Sequence, residues 1–274
     1  MLPAGGQRRW PIVALIAAIL ILCYASTLRG MAEQWWNDED MGHGFAVPVV
    51  IAWIVWRERK RWMSLPLEPS AWGFVLLLGA MALHAAGALG GGLFAASLAF
   101  VVSVIGVIVC VAGFRWVRAW IFPLVLAFFM LPKLAIVYNQ ATLPLQLLAS
   151  RMAAGMLTAT GSAVIREGNI LDVGGHRILV AEACSGIRYL LPLGFTALLL
   201  GYLFDSRAWM RLVLLAAAVP IAICANAVRV AVSGAVPAFA EGTAHEVAGA
   251  AIFTLCLASL IVVQRLFHRK ASHA

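Results

Sequence analysis

The chain has 274 residues, of which 63% are hydrophobic and 12% charged, and its mean hydropathy is +0.94. Soluble domains are typically about 45–50% apolar and about 25% charged, so this composition excludes a cytosolic enzyme, a disordered chain and a secreted disulfide-rich protein. The chain is therefore expected to cross a membrane several times, with about 20 residues in each spanning helix.

Apolar runs bounded by charged residues predict eight spanning helices. In chain order these predicted spans are 11–28, 44–56, 72–89, 93–113, 119–131, 187–204, 212–232 and 246–264. The first span follows Arg8 and Arg9, as a signal peptide would, but its length and the further spans favour an uncleaved anchor. A glycine turn over residues 90–92 joins the third span to the fourth.

The basic residues predict the orientation of these spans. With the N-terminus in the cytoplasm, the inner segments carry 13 of the 20 Lys and Arg residues and only three acidic ones, whereas the outer segments carry seven basic and nine acidic residues. Basic residues concentrate in this way in the cytoplasmic loops of multi-pass proteins, so both termini are predicted to be cytoplasmic. The net charge of +8 is then an orientation signal, and no nucleic-acid partner is expected.

The sizeable polar region, 132–186, is predicted to be an insertion at the outer face of the membrane. Within it, the segment 139–161 is apolar enough for a ninth span, but Thr142, Gln146 and Ser150 recur at helical spacing. That polar stripe favours a helix lying in the membrane interface over one that crosses it. A ninth span would also move the later basic clusters to the outside, against the charge rule.

The end of the insertion is predicted to be β structure. Two β-prone runs, 164–173 and 176–180, flank a Gly-Gly pair, which is typical of a hairpin. The predicted fold is thus an all-α multi-pass membrane protein of about eight helices, with an interfacial helix and a small β-hairpin at the outer face. It is expected to form a single domain over 1–274.

One cysteine differs from the other four. Cys184 lies at a predicted membrane–water boundary, at the start of the sixth span. Backbone N–H groups at a helix start favour the thiolate; Arg188, one turn later, would add to that effect and Glu182 would oppose it. Cys184 is either a reactive thiol or an inert interfacial one. The others lie inside apolar runs, where a thiol usually packs as a small hydrophobic group: Cys23, Cys110, Cys224 and Cys256.

Three other polar positions lie near the predicted outer face. Asn226 and Arg229 share one face of the seventh span, where a charged side chain marks a functional site, unless Arg229 merely extends to the interface. His245 precedes the eighth span, and His43 precedes the second beside three acidic residues. Either histidine alone is more commonly an interfacial or packing residue.

Cys184, Arg229 and His245 come from three different spans, and the predicted topology brings all three to one face. A thiol, an imidazole and a guanidinium are the groups that thiol acyl transfer needs. The thiolate attacks a carbonyl, the histidine relays protons to the leaving amine, and the arginine stabilises the developing oxyanion. One Cys and one His are too few ligands for a metal, and no cofactor is expected.

With these residues the chain resembles the exosortases and archaeosortases. The resemblance covers about 35–265 and rests on five stretches: Glu182-Ala-Cys-Ser-Gly-Ile-Arg188, Asn226-Ala-Val-Arg229, His245 with Gly249 four residues later, His43-Gly44, and Arg166-Glu-Gly-Asn169. The Cys-Ser-Gly motif is fairly specific when the Asn-x-x-Arg motif and the histidine follow it in this order.

The resemblance implies a cysteine transpeptidase of the bacterial inner membrane, with its active site on the periplasmic face. It assigns Cys184 as the nucleophile, His245 as the acid/base and Arg229 as the electrostatic stabiliser. Four further positions are implied to support the site or bind substrate: Asn226, Arg188, Glu182 and His43. The chain is expected to be a short form, without the extra C-terminal soluble domain of longer members.

The resemblance also implies the partners. Substrates would be exported, membrane-anchored proteins with a C-terminal sorting signal, which consists of a Pro-Glu-Pro-type motif, a transmembrane helix and a basic tail (PEP-CTERM). The acceptor would be an amine, a lipid or a polysaccharide. Two alternatives remain open at this point. One is an intramembrane hydrolytic protease that uses water as acceptor, and the other is a non-enzymatic component of transport or exopolysaccharide export.

Overall fold

The computed structural model describes residues 10–180, 186–205, 207–239 and 242–272. The chain divides into two compact units, Met1–Lys133 and Leu134–Ala274, and each is described on its own. The boundary between them falls at the start of the predicted insertion 132–186.

The described part of the first unit is helical. Its helices are α1 (Trp10–Cys23), α2 (Ala25–Asn37), α3 (Ala46–Arg57), α4 (Arg59–Met63), α5 (Trp72–Ala86), α6 (Gly92–Val111), α7 (Phe114–Ala119) and α8 (Ile121–Ala127). Short 3-10 turns precede α3 at Gly42–Phe45 and follow α8 at Phe128–Met130. Helices α1 and α2 are bent by 69° relative to each other.

Helices α5 and α6 form an antiparallel pair whose backbones approach closely. A Cβ added to Gly73 would lie 2.6 Å from the carbonyl oxygen of Gly106, so a glycine is needed for this contact between two spanning helices. The predicted glycine turn joins the pair. Gly90 and Gly92 have φ angles of 137° and 74°, which residues with a Cβ rarely adopt.

The second unit combines long helices with a small antiparallel sheet. Its elements are α9 (Ala135–Ala159), β1 (Val164–Glu167), β2 (Ile170–Val173), β3 (His176–Leu179), α10 (Ile187–Phe204), α11 (Ala208–Ala235) and α12 (Gly242–Ser272). The strands pair in the order β1-β2-β3. One apolar cluster joins α9, the sheet and α11, and a second joins α10, α11 and α12.

The predicted hairpin is present but is part of a three-stranded sheet. Val173 pairs with His176 across the Gly174-Gly175 turn, as predicted. The run 164–173, however, is two strands rather than one, because the chain also reverses at Gly168, where φ is 63°. Gly168-Asn169 is a common two-residue hairpin turn, and the sequence-based prediction did not include this first turn.

Five helices in the described residues are long and apolar enough to span a membrane. They are Trp72–Gly90, Gly92–Val111, Ile187–Phe204, Ala208–Ala235 and Gly242–Phe267, which correspond to the predicted third, fourth, sixth, seventh and eighth spans. The protein is therefore a mostly helical, multi-pass membrane protein, as predicted.

The predicted number of eight spans is not confirmed, since the candidates number five, or seven if each of two bent helix pairs is one span. The predicted first span is the bent pair Pro11–Cys23 and Ala25–Asn37. The predicted second span corresponds to a helix over Gly42–Arg57, which is too short to qualify. The predicted fifth span also qualifies only when Ile121–Met130 is taken with Ala135–Ala159.

Helix α9 confirms a helix over the segment predicted to be interfacial, but its polar stripe faces protein. Thr142, Gln146 and Ser150 are each at most 6% exposed. The Ser150 hydroxyl donates a hydrogen bond to the carbonyl oxygen of Gly168, in the turn between β1 and β2, at 2.9 Å. The stripe therefore gives no support to an interfacial position, which stays a prediction.

Candidate functional site

The structure describes only some of the predicted site residues. Cys184 and Glu182 lie outside the described residues, and His245 is described as a backbone position in the first turns of α12 but not as a side chain. The site is therefore built from Asn226 and Arg229, together with the residues that contact them.

Arg229 and Asn226 lie late in α11 and are enclosed by protein. Their exposed fractions are 3% and 1%, although α11 is a candidate spanning helix with exposed apolar residues along its length. Arg229 is thus directed into the protein rather than extended to an interface. Removing a guanidinium from water has a large free-energy cost, so its enclosure needs a structural or functional reason.

The guanidinium of Arg229 packs against an aromatic ring and a glycine. Its Cζ atom lies 5.8 Å from the centroid of the Tyr189 ring, within cation–π range. A Cβ added to Gly249 would lie 3.4 Å from the Tyr189 hydroxyl and 3.6 Å from Nη2 of Arg229. Helices α10, α11 and α12 therefore meet at this point, each through one residue.

Tyr189 is itself held in place by the bundle. It is 7% exposed and belongs to the cluster that joins α10, α11 and α12. Its ring stacks on Phe253, with centroids 6.2 Å apart and an interplanar angle of 24°. Because it contacts Arg229 directly, Tyr189 is a candidate site residue that was missed in the sequence. Its position in the first turn of the predicted sixth span, next to Arg188, could have pointed to Tyr189 in the sequence. Arg188 itself is half-buried.

Asn226 contacts the start of α10. Gly186, the N-cap of that helix, has a left-handed conformation with φ of 82°. A Cβ at Gly186 would lie 3.0 Å from Cβ of Asn226. Both the backbone conformation and the close approach therefore favour glycine here, which gives a physical reason for the Gly in the Cys-Ser-Gly sequence.

These contacts bring the chain neighbours of the predicted catalytic residues to one place. Gly186, two residues after Cys184, touches Asn226, and Gly249, one helical turn after His245, touches Arg229. The described residues thus form a polar centre enclosed by three candidate spanning helices.

His43 belongs to a separate cluster in the first unit. Its ring lies near the backbone of Asp40 and Phe129, and burial lowers its pKa below the ordinary value, although these backbone groups act in the opposite direction. Lys133 forms ion pairs with Asp38 and Asp40, each with an N–O distance of 2.7 Å. The predicted supporting role of His43 at the site of Arg229 stays a prediction.

A neighbouring indole contributes to the same cluster. Trp35 donates a hydrogen bond from Nε1 to the carbonyl oxygen of Met130 at 3.0 Å, and its ring fills the space where Gly44 lacks a side chain. We refer to Trp35, Asp38, Asp40, His43 and Lys133 as the Lys133 cluster. It joins the segment before α3 to the segment after α8.

Metal binding has no candidate among the residues that the structure describes, where no three His, Cys, Asp or Glu side chains lie close enough to hold an ion.

Several spanning helices, a small sheet and an enclosed Arg229 thus define a multi-pass membrane protein with a polar centre between three helices. A family model for transmembrane exosortases matches residues 35–262. The chain therefore belongs to the transmembrane exosortase family, which confirms the resemblance seen in its motifs. No curated protein and no solved structure matches the chain.

Proposed function

We propose that the protein is a membrane cysteine transpeptidase that removes the C-terminal sorting signal of exported, membrane-anchored proteins and transfers them to an acceptor. The observation that carries this proposal is the enclosed Arg229, around which α10, α11 and α12 meet. Membership of the exosortase family supports the same reaction class.

The proposed first step uses all three predicted catalytic residues. The Cys184 thiolate attacks the scissile carbonyl carbon, and Arg229 stabilises the negative charge that develops on the carbonyl oxygen. His245 donates a proton to the nitrogen of the leaving group as the C–N bond breaks. The products of this step are a thioester on Cys184 and a released peptide with a free amine.

The second step resolves the thioester. An acceptor amine, or the hydroxyl of a lipid or polysaccharide, attacks the thioester carbonyl and loses its proton to His245, and the Cys184 thiolate leaves. Transfer competes with hydrolysis, so exclusion of water favours it. The β-sheet and α9 pack against α11 next to Arg229, through Val230 and Ala231, and we propose that they limit the access of water.

We further propose the orientation that the charges predict. Both termini lie in the cytoplasm of a bacterial cell, and the site lies on the periplasmic side of the inner membrane. In this orientation α11 runs outward, and Arg229 lies six residues before its outer end at Ala235.

Replacement of the thiol tests the proposal directly. The Cys184→Ala variant should accumulate unprocessed precursor, because no thioester can form, whereas Cys23→Ala, in the exposed cysteine of α1, should process normally. Immunoblots of membrane fractions, normalised to the amount of each variant, measure the ratio of precursor to product. Normal processing in Cys184→Ala would refute the proposal.

The mass of the released product distinguishes transfer from hydrolysis. Transfer adds the mass of the acceptor to the new C-terminus, whereas hydrolysis leaves a free carboxylate. Intact-mass spectrometry of the processed protein makes this comparison. A product that carries only a carboxylate would replace the transferase with the hydrolytic protease.

A further inference from the structure

An apolar groove in the first unit lies between α1 and α6. It has a volume of about 400 Å³. Its walls are one stripe of α1, from Val13 to Ile21, and one stripe of α6, from Phe100 to Val111. The lining residues recur every three or four positions on both helices, so each helix presents one face along the length of the groove.

Helix α1 depends on this groove for its packing. Over its described side chains, 11–23, no residue is buried. The half-buried ones are Ile16 and Leu20, which lie one turn apart and both line the groove. The groove therefore separates α1 from the helix beside it, and an apolar occupant would complete the contact between the two.

One end of the groove is formed by an aromatic cluster. Trp116 and Trp120 belong to the lining, and Trp62 contacts both, with ring centroids 5.2 and 5.5 Å away. Tryptophan is enriched where a membrane meets water. This end is therefore at the level of the lipid headgroups, and the rest of the groove extends from it towards the middle of the bilayer.

Basic residues surround the same end. Arg115 and Arg118 flank Trp116 in α7, and three more basic residues occupy 59–61, directly before Trp62. Two acidic residues are also present, and each forms an ion pair with one of the basic ones: Glu58 with Arg61 and Glu68 with Arg115. The five basic residues outnumber them, and an excess of positive charge at a membrane surface attracts anionic headgroups.

The dimensions of the groove match one acyl chain rather than a helix. The eleven residues from Phe100 to Val111 extend about 16 Å, close to half of the hydrocarbon core of about 30 Å. That is the depth of one leaflet, whereas a spanning helix needs the full core. A helix about 10 Å across would also occupy roughly 900 Å³ over a length of 12 Å, more than twice the volume of the groove.

We infer that this groove binds one acyl chain of an anionic phospholipid, whose phosphate lies beside Arg115 and Arg118. The chain packs between α1 and α6 and holds α1 against the rest of the first unit. In the proposed orientation the lipid belongs to the inner leaflet. The inference does not rest on the proposed transpeptidase reaction. A protein helix is the competing occupant.

Lipid binding by the purified full-length protein tests the inference. The protein is titrated with phosphatidylglycerol or with phosphatidylcholine of the same acyl chains, and native mass spectrometry counts the lipids that remain bound. Two arginines at the headgroup predict that one phosphatidylglycerol binds about tenfold more tightly than phosphatidylcholine. Equal affinities for the two lipids would overturn the inference.

Two pairs of variants assign the binding to this groove. Ala17 lines it, whereas Ala18 is an exposed neighbour outside the lining. Ala17→Trp fills the groove and should weaken phosphatidylglycerol binding about tenfold, and Ala18→Trp should leave it unchanged. Arg118→Gln, at an exposed position, should weaken it about fivefold, and Arg29→Gln, outside the lining, should not. Equal effects within either pair would contradict the inference.

Photocrosslinking identifies the occupant in a bilayer. A benzophenone amino acid is introduced at position 107, in the lining, or at position 18 as the matched control. In vesicles with equal amounts of the two lipids, position 107 should capture phosphatidylglycerol preferentially, and position 18 should capture both equally. In native membranes, capture of a polypeptide from position 107 would show that a helix occupies the groove and would overturn the inference.

Discussion

Each unit holds one basic side chain largely out of solvent, but the two side chains have different surroundings. In the first unit Lys133 lies between two carboxylates at 2.7 Å, and the three side chains remain 14–26% exposed. In the second unit Arg229, a residue of the long helix α11, is 3% exposed, and its guanidinium lies over the ring of Tyr189. An ion pair between two connecting segments is explained by the stability of that connection. A guanidinium enclosed among candidate spanning helices has a larger desolvation cost, which is why we propose Arg229 as a site residue.

Replacement of Arg229 should produce the largest effect and the sharpest contrast between the two regions. We expect Arg229→Gln to lower the rate of processing by about 10²–10³, which is typical for the loss of one group that stabilises an oxyanion. Arg229→Lys keeps the charge but loses the planar donor geometry, so its rate should be intermediate. The measurement is the initial rate of product formation per amount of folded variant in the membrane. A Gln variant with full activity would remove Arg229 from the mechanism.

Replacement of Tyr189 tests whether the ring positions Arg229. Tyr189→Leu removes the cation–π contact, for which about 0.5–2 kcal/mol is typical, so we expect kcat to fall up to about thirtyfold with little change in KM. Tyr189→Phe retains the ring and should stay close to the parent. Phe253→Leu, on the other side of the Tyr189 ring, is the matched control for lost packing.

A double-mutant cycle decides between positioning and packing. If Tyr189 acts through Arg229, Tyr189→Leu should have little further effect in an Arg229→Lys background. Additive losses in kcat, or an equal loss in Phe253→Leu, would show that Tyr189 only stabilises the bundle.

Replacement of Lys133 should have the smallest effect on chemistry and should instead reduce stability. Lys133→Ala leaves Asp38 and Asp40 as neighbouring carboxylates, and we expect the free energy of unfolding to fall by about 1–2 kcal/mol. Arg29→Ala removes an ion pair with Glu33 that is well exposed and should have little effect. Thermal denaturation of the purified protein measures both. A loss of kcat in Lys133→Ala without a loss of stability would contradict the contrast between the regions.

The same cluster has a predictable response to alkaline pH. Burial alone would lower the pKa of Lys133, but hydrogen bonds and charge attraction from Asp38 and Asp40 raise it above the ordinary value. Because the pKa of Lys133 is raised in the folded state, its interactions with Asp38 and Asp40 stabilise the fold fully below the unfolded-state pKa of about 10.4. This stabilisation is lost as the pH rises through the folded-state pKa. Above the folded-state pKa, the free energy of unfolding of Lys133→Ala should therefore be close to that of the parent.

Hydropathy predicted the elements whose structure depends on local sequence. A spanning helix satisfies its own backbone hydrogen bonds, so about 20 apolar residues suffice to define it, and five predicted spans correspond to candidate spans. The predicted second and fifth spans, at 44–56 and 119–131, were less well defined because their apolar runs are short. In both places the chain forms short helices joined by turns, whose course depends on packing rather than on hydropathy.

The spacing of polar residues predicted that they share one face of α9, but it did not predict what packs against that face. Thr142, Gln146 and Ser150 do share one side of α9, as predicted, yet they are buried against protein rather than exposed to an interface. A polar stripe has the same spacing in both cases. The choice depends on whether acceptors such as the carbonyl oxygen of Gly168 lie within reach, and that is a tertiary contact.

The sequence by itself determined the membrane class, most of the spans, the family and the chemical identity of the candidate site residues. These follow from composition, from runs of apolar residues and from motifs that are local in the chain. Only the tertiary structure decided that Arg229 faces inward over Tyr189, that Gly249 lies against both, and that Gly186 lies on Asn226. These contacts join residues that are distant in the chain, and they depend on how three helices are rotated and spaced, which no local pattern specifies.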